Sequence, residues 1–176
     1  IMDSIRYARQ IQDAVLPTEN ELNEYFTESF AIYKPQKVVS GDFYWVFRKK
    51  HKTFVAVVDC TGHGVPGAFM SMIGQTLLNK IIGQSKIYDP AMILEVLHLE
   101  IQHALKQNEG KNDDGMEVAI CAIENTDLGK QVTFAGAHRP LYYVQAGEFL
   151  KIKGNKRSIG GKQKQENQQF ITHSIH

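Results

Sequence analysis

Apolar residues recur at helical spacing from the first residue of the chain. Ile1, Ile5, Ala8, Ile11 and Val15 are separated by polar residues, and a period near 3.6 predicts an amphipathic helix that ends before the next proline. We interpret residues 1–17 as a linker or signalling helix and residues 18–176 as the domain that follows it. The helix either packs on that domain or pairs with a second copy, and both alternatives stay open.

Short runs of β-branched and aromatic residues predict strands at 30–33, 43–47 and 54–58. The last run is almost entirely apolar, which predicts a central strand buried on both faces. Helical spacing then predicts two adjacent helices, one from Pro66 to about Gly83 and one that begins at Asp89-Pro90, with the aspartate as its cap.

The second half of the chain returns to strand-like runs. They lie at 117–123, 131–135, 141–144 and 149–152, with turn residues at 127–129 and 146–147 and weaker strand potential at 170–171. Strands, two consecutive helices and strands in a meander predict an α+β fold with antiparallel sheets and outer helices.

Candidate chemistry begins where the apolar run 54–58 ends at Asp59. A carboxylate at the mouth of a buried strand is costly unless it is compensated, and a divalent cation is a natural compensator. The turn that follows, Gly62-His63-Gly64, permits close backbone approach, and a helix N-terminus behind it favours anions. Taken alone, an aspartate that caps a turn explains Asp59 equally well.

A second carboxylate, Asp42, precedes the strand at 43–47. The basic run 48–52 reads as a hairpin turn between the two strands. Antiparallel strands joined there run back past each other, so Asp42 and Asp59 are expected at the same end of the hairpin. Two carboxylates brought together in this way can share hard cations.

Dinucleotide binding is the main competing interpretation of this loop. Residues 62–67 match GxGxxG, and Asp89 follows about 20 residues later, as such a site requires. Against it, Asp59 would lie near the pyrophosphate, and the segment after the helix is too polar for the next parallel strand. A P-loop is excluded because Ala68 and Phe69 follow the last glycine.

Charge and cysteine content exclude several classes. Twenty basic residues balance nineteen acidic ones, which argues against a nucleic-acid partner. No apolar run approaches a membrane span and no signal peptide is present, so direct membrane insertion is not expected. Cys60 and Cys121 lie inside apolar runs without zinc-site spacing, which favours a reducing, cytoplasmic compartment.

Five ordered motifs resemble the SpoIIE-type domain of the PPM (Mg²⁺/Mn²⁺-dependent) serine/threonine protein phosphatases, the group that includes RsbU-like regulators. They are ARQIQDAVLP at 8–17, KVVSGDFYW at 37–45, VDCTGHGVPGA at 58–68, DGMEVA at 114–119 and AGAHRPL at 135–141. The resemblance implies a four-layer α-β-β-α sandwich in which two antiparallel sheets are flanked by helices. It makes residues 18–176 the phosphatase domain.

The resemblance also implies the site. Asp59 would bridge two Mn²⁺ or Mg²⁺ ions, with the backbone carbonyl of Cys60 and the side chain of Asp42 as further ligands. Asp114 lies where some members bind an additional ion. A metal-activated water would attack phosphorus, with Gly62, His63 and Gly64 forming the loop near the phosphate.

The expected function is a cytoplasmic phosphoserine/phosphothreonine protein phosphatase in bacterial signalling. Its substrate would be a phosphorylated anti-sigma-factor antagonist or a similar regulator, and a homodimer could form through the N-terminal helix. A membrane sensor could tether the parent protein. The alternative is a non-catalytic phosphatase-fold module that binds a partner.

This chain departs from the family pattern in one respect. The pattern continues with a strand and further metal-binding aspartates, and this chain ends near where that strand would begin, so we expect the fold to be incomplete at its C-terminus. Weak metal binding and little activity are therefore expected of this chain. Arg139, in the turn after residue 137, could meet a phosphate, but we interpret it as a solvated turn arginine.

Overall fold

The computed structural model describes residues 2–162 and 168–176, and helices and antiparallel strands account for most of them. The helices are α1 (Met2–Val15), α2 (Glu19–Tyr25), α3 (Gly64–Asn79) and α4 (Pro90–Ala104), and α3 continues into a π-helical segment, Lys80–Gln84. The strands are β1 (Phe43–Lys49), β2 (Lys52–Cys60), β3 (Gly115–Thr126), β4 (Gly129–Ala137), β5 (Leu141–Gln145), β6 (Glu148–Ile152), β7 (Ile159–Gly160) and β8 (His173–Ile175).

Two antiparallel sheets organise these strands. The larger has the order β1-β2-β3-β4-β8, with β7 beside β3, and the smaller is the β5-β6 hairpin. The predicted α+β class with antiparallel sheets is confirmed. The strands predicted at 43–47, 54–58, 117–123, 131–135, 141–144 and 149–152 all lie within observed strands. Short turns join β1 to β2, β3 to β4 and β5 to β6 as antiparallel neighbours.

The core lies between the large sheet and helices α3 and α4. Phe54, Ala56 and Val58 of β2 are fully buried, as are Leu78 of α3 and Leu94 of α4. Helix α3 contacts β2, and α4 contacts β3 and β4. Alternate residues of β2 therefore point toward the helices, as the pleat of a strand requires.

The opposite face of β2 is partly open, so the prediction of a strand buried on both faces is wrong. Val57 is 59% exposed, between buried neighbours at 56 and 58. Together with Val55, Cys121 and Ile123 it lines an apolar groove of about 950 Å³. The all-apolar composition of 54–58 indicated two covered faces, whereas the helices cover one.

Helix α4 begins as predicted. The Asp89 carboxylate accepts a hydrogen bond from the backbone N–H of Met92 at 3.0 Å, and Pro90 takes the first helical position. Thr172 donates its hydroxyl to the same carboxylate at 2.9 Å. The helix start is thereby tied to the C-terminal segment.

Helix α1 is confirmed, and its buried contact is polar. Gln12 accepts a hydrogen bond from the backbone N–H of Ser40 at 2.9 Å and donates to the Ser40 carbonyl at 2.7 Å and the Ser71 hydroxyl at 3.0 Å. Apolar Tyr7, Ile11 and Val15 stay exposed. None of the helices in the described ranges 2–162 and 168–176 is long and apolar enough to cross a membrane.

Two strand predictions are wrong. Residues 30–33 form no helix or strand and join neither sheet, and Phe30 is 86% exposed. At 170–171 the backbone donors bond to side chains instead of a strand, with Phe170 N–H on Glu95 at 2.9 Å and Ile171 N–H on Asn155 at 3.1 Å. A high strand propensity means that a residue fits well in a sheet. It does not ensure that a partner strand is available to pair with it.

Candidate active site

The β1-β2 hairpin brings Asp42 and Asp59 together at its open end. Phe43 lies opposite Val58, which leaves each aspartate one position from that pair. Burial, then a hydrogen bond with Asp59 and the charge of Asp59, raise the pKa of the Asp42 carboxyl, while nearby Arg139 lowers it. Two carboxylates this close favour a shared proton or a bound cation.

Backbone-to-backbone packing holds the two loops of the site against each other. A Cβ on Gly41 would lie 2.9 Å from the Gly62 carbonyl oxygen and 3.2 Å from the Cys60 carbonyl oxygen. A Cβ on Gly67 would lie 2.7 Å from the same Gly62 oxygen. The absence of side chains at both glycines is what lets the Cys60 carbonyl lie next to the Gly41-Asp42 peptide.

The glycine-rich turn leads directly into α3. Gly62 and Gly64 have φ of 85° and 63°, values that residues with a Cβ rarely adopt. His63, between them, takes the N-cap position with extended backbone, and its side chain is exposed. The turn thus presents the N-terminus of a sixteen-residue helix beside the aspartate pair, and helix N-termini favour anions.

Burial and nearby charge disfavour the reactive thiolate form of the Cys60 side chain. Burial first, and then the negative charges of Asp42 and Asp59, raise the pKa of its thiol. A protonated thiol is a poor nucleophile and a poor metal ligand. The role of the Cys60 carbonyl as a metal ligand, which the family resemblance implies, stays a prediction.

Arg139 forms an ion-pair bridge beside the aspartates, so its interpretation as a solvated turn arginine is wrong. Its Nη2 contacts an Asp59 carboxylate oxygen, and its Nε lies 2.7 Å from Glu117 Oε2. Glu117 faces Asp59 across the β2-β3 pairing. The arginine therefore links two neighbouring strands from outside, with 45% of its own side chain exposed.

Asp114 lies one residue before β3, and its hydrogen bonds stay within its own loop. Its carboxylate accepts from the Asn112 amide at 2.8 Å, and its carbonyl accepts from the Gln107 amide at 2.6 Å. The following residue, Gly115, exchanges hydrogen bonds with Thr61 at 2.8 and 3.0 Å. Asp114 thus lies at the same sheet edge as the aspartate pair, and its role as a ligand of a further ion stays a prediction.

A cavity of about 690 Å³ opens next to Asp59. Its lining includes Glu117, Arg139, Lys156 and Lys162. Cationic side chains around a carboxylate centre give a surface suited to a phosphate group carried by an anionic ligand.

Residues 49–174, more than half of the chain, match the family model described as Stage II sporulation protein E (SpoIIE). The chain belongs to the SpoIIE family. The resemblance to a SpoIIE-type PPM phosphatase domain is therefore confirmed by comparison with known proteins.

Two relatives show how much of the SpoIIE architecture the chain contains. It is 28% identical over 178 residues to the phosphoserine phosphatase RsbU of Bacillus subtilis, covering 98% of this chain and 50% of RsbU. It is 31% identical to the SiaA-PP2C domain of Pseudomonas aeruginosa, with a TM-score of 0.83, covering 98% of this chain and 65% of that one. The chain thus spans half to two thirds of these relatives.

A more distant structure shares the fold. RsbX in complex with magnesium is 17% identical, with a TM-score of 0.55 over 83% of this chain and 65% of that chain. At this identity the likeness concerns the fold alone.

The donor atoms at the aspartate pair fit a hard divalent cation. Asp42 and Asp59 offer carboxylate oxygens, and the Cys60 carbonyl lies beside the Gly41-Asp42 peptide. Burial, then the hydrogen bond with Asp59 and its charge, raise the pKa of Asp42, and a bound cation would favour its charged form. Within residues 2–162 and 168–176, no group of three or more His, Cys, Asp or Glu side chains is arranged to hold a metal. The role of Asp42, Asp59 and the Cys60 carbonyl as metal ligands stays a prediction.

Proposed function

We propose that this SpoIIE-family domain is a metal-dependent phosphatase acting on phosphoserine or phosphothreonine in a protein. The observation that carries the proposal is that the β1-β2 register brings Asp42 and Asp59 to the same end of the hairpin, where Asp59 raises the pKa of the Asp42 carboxyl. The family assignment supports it, as does the relation to RsbU, a phosphoserine phosphatase.

Each residue of the site has a distinct part in the proposal. Asp59, Asp42 and the Cys60 carbonyl would hold the Mn²⁺ or Mg²⁺ ions, with Asp59 as the central ligand. The ions, when bound, supply Lewis acidity and an activated water for attack on phosphorus. Gly62, His63 and Gly64 place backbone N–H groups of the α3 N-terminus near the phosphate, and Asp114 is the candidate ligand for a further ion.

The substrate we propose is a phosphorylated regulator, such as an anti-sigma-factor antagonist, in a cytoplasmic signalling pathway. The cavity beside Asp59, with Lys156 and Lys162 on its rim, is open enough for a phosphorylated protein segment. The exposed Tyr7, Ile11 and Val15 of α1 support a homodimer through that helix. A molecular mass by light scattering that falls from dimer to monomer in Ile11→Lys would test the dimer.

Hydrolysis of a phosphoserine peptide in the presence and absence of Mn²⁺ tests the phosphatase activity. We expect slow, metal-dependent release of phosphate, since metal binding by this chain is expected to be weak, and a fall to background in Asp59→Asn, because a lost ligand costs more than a lost outer-shell contact. Asp127→Asn, the same change in the exposed β3-β4 turn, is the control and keeps full activity. Metal-independent hydrolysis, or equal activity in Asp59→Asn, would overturn the proposal.

A non-catalytic partner-binding module is the second candidate. Two observations favour it: Arg139 occupies an Asp59 oxygen, and the described residues hold no cluster of three potential ligands. This candidate predicts binding of an unphosphorylated partner with the same affinity with or without Mn²⁺. Phosphate release that depends on Asp59 would exclude it.

A further inference from the structure

The ion pair between Arg139 and Asp59 has a fixed backbone behind it. The His138 N–H donates to the Asn155 carbonyl at 2.8 Å, and the Asn155 N–H donates to the Gly136 carbonyl at 2.8 Å. His138 itself has φ of 59°, a conformation that sharply redirects the chain. Arg139 is therefore directed at the site by its local fold, and its position does not depend on a flexible loop.

Close packing at the carbonyl of Arg139 holds it in place as well. Any Cβ on Gly136 or on Gly154 would collide with the Arg139 carbonyl oxygen. Pro140 follows directly, and its ring restricts the backbone of the residue before it. The guanidinium can thus leave Asp59 by side-chain rotation, while its backbone stays beside the site.

Glu117 keeps the guanidinium close even when one contact is lost. Its carboxylate binds Nε, whereas Asp59 binds Nη2. The fork of an arginine allows the two bonds to be broken one at a time. An ion that takes the Asp59 oxygen would therefore bind beside a cation that remains held by Glu117.

We propose that Arg139 is an internal counter-ion of the aspartate pair, which a divalent cation must displace from Asp59 in order to bind. The arginine thereby stabilises the metal-free site and lowers its affinity for metal. The proposal rests on the proposed function in one respect, that Asp59 is the ligand of the divalent cation.

Calorimetric titration with Mn²⁺ on the full chain tests the displacement. Arg139→Gln removes both the occupant of the Asp59 oxygen and a positive charge near the bound ion, so we expect Mn²⁺ to bind about tenfold tighter or better than in the wild type. The metal-free melting temperature should fall, because three carboxylates lose their counter-ion, and Mn²⁺ should raise it by more than in the wild type.

Lys156→Gln is the matched control. It removes one positive charge from the same cavity at an exposed side chain, and we expect its Mn²⁺ affinity to change less than threefold because exposed charges are screened. Tightening equal to that of Arg139→Gln would show a general charge effect and would overturn the proposal. Arg139→Met, which keeps the apolar stem, repeats the test if the glutamine variant fails to fold.

Two results distinguish this inference from the phosphatase proposal. Unchanged or weaker Mn²⁺ affinity in Arg139→Gln, or the absence of measurable binding in both proteins, overturns the counter-ion role whatever the activity. Tighter Mn²⁺ binding in Arg139→Gln supports that role even if the domain hydrolyses no phosphopeptide, because it is read from metal binding and stability.

Discussion

Asp59 is a residue whose surroundings decide its chemistry. Its strand delivers it to the edge of the sheet, Asp42 and Glu117 add negative charge on both sides, and Arg139 partly neutralises the group. If Asp59 had only the end of a buried strand as its surroundings, its simplest role would be to cap the turn that follows. The added carboxylates turn it into a site that gains stability from a cation.

The glycine at position 41 is predicted to be irreplaceable. In Gly41→Ala the new methyl group meets two backbone carbonyls, which cannot rotate away, so we expect the free energy of unfolding to fall by about 1–3 kcal/mol. Urea denaturation measures it. Gly83→Ala is the control: its methyl meets the Phe47 ring at 3.3 Å, which can shift, and the loss of a helical glycine offsets the contact. Equal losses in both variants would contradict this account.

At the residue scale the sequence predicts Asp42 and Asp59 but misses Arg139. One short turn joins β1 to β2, so counting from the turn gives the register and the meeting of the two aspartates. The Arg139–Glu117 pair depends on the Cα register between β3 and β4 and on the unusual φ of His138. The motif at 135–141 predicted the position of the turn, but nothing in it indicated that the Arg139 side chain would point toward Asp59.

At the scale of elements, α1 is attached to the site loop by one buried amide. Gln12 satisfies both backbone groups of Ser40, two residues before Asp42. In Gln12→Leu those groups lose their partner inside the protein, and we expect a loss of about 2–4 kcal/mol in urea denaturation. Gln10→Leu, on the exposed side of the same helix, should stay within about 0.5 kcal/mol. Similar values for the two variants would refute the attachment.

Helix α4 is joined to β7 through a histidine that must stay neutral. His98 Nδ1 accepts a hydrogen bond from the Gly160 N–H at 2.9 Å. Burial and then Arg157 lower the pKa of His98, against the opposing charge of Glu95. Because the folded pKa lies below the unfolded value of about 6.5, this contribution is complete above that pH and is lost as the pH falls through it.

We therefore expect thermal stability to decline between about pH 7.5 and 5.5 by a component that His98→Asn removes. Asparagine keeps an acceptor for Gly160 and cannot be protonated in this range. Melting curves of the variant and the wild type across that range measure the difference. His103→Asn, exposed on the same helix, should keep the wild-type slope, and a wild-type slope in His98→Asn would exclude the assignment.

The elements themselves were largely predictable where local signals agree. The Asp89-Pro90 pair predicted the start of α4, and turn residues predicted the β3-β4 and β5-β6 hairpins. Helix α2 was missed although Thr18 and Glu21 form a capping box, because the helix is only seven residues long and its apolar spacing is sparse. The strand predicted at 30–33 was wrong for the opposite reason. Its apolar residues suit a strand, but the segment has no partner strand in the described sheets.

At the scale of the whole molecule, one face of the large sheet is covered by α3 and α4 and the other is an open apolar groove. Neighbouring valines of β2 test this directly, because Val58 is fully buried and Val57 is 59% exposed. Threonine has nearly the same shape as valine, so the substitution isolates the burial of a hydroxyl. Val58→Thr should lower the free energy of unfolding by about 1–3 kcal/mol, and Val57→Thr should change it by about 0.5 kcal/mol or less.

The same pair of variants also reports on what covers the groove. If a second copy of the chain occupied it in solution, the Val57 side chain would be buried there, and Val57→Thr would then become as costly as Val58→Thr at high protein concentration. Urea denaturation at two concentrations about a hundredfold apart separates these cases, because stability gained by association depends on concentration. We expect a large difference between the two valines that is the same at both concentrations, since the helices that build the core contact the sheet from the Val58 side.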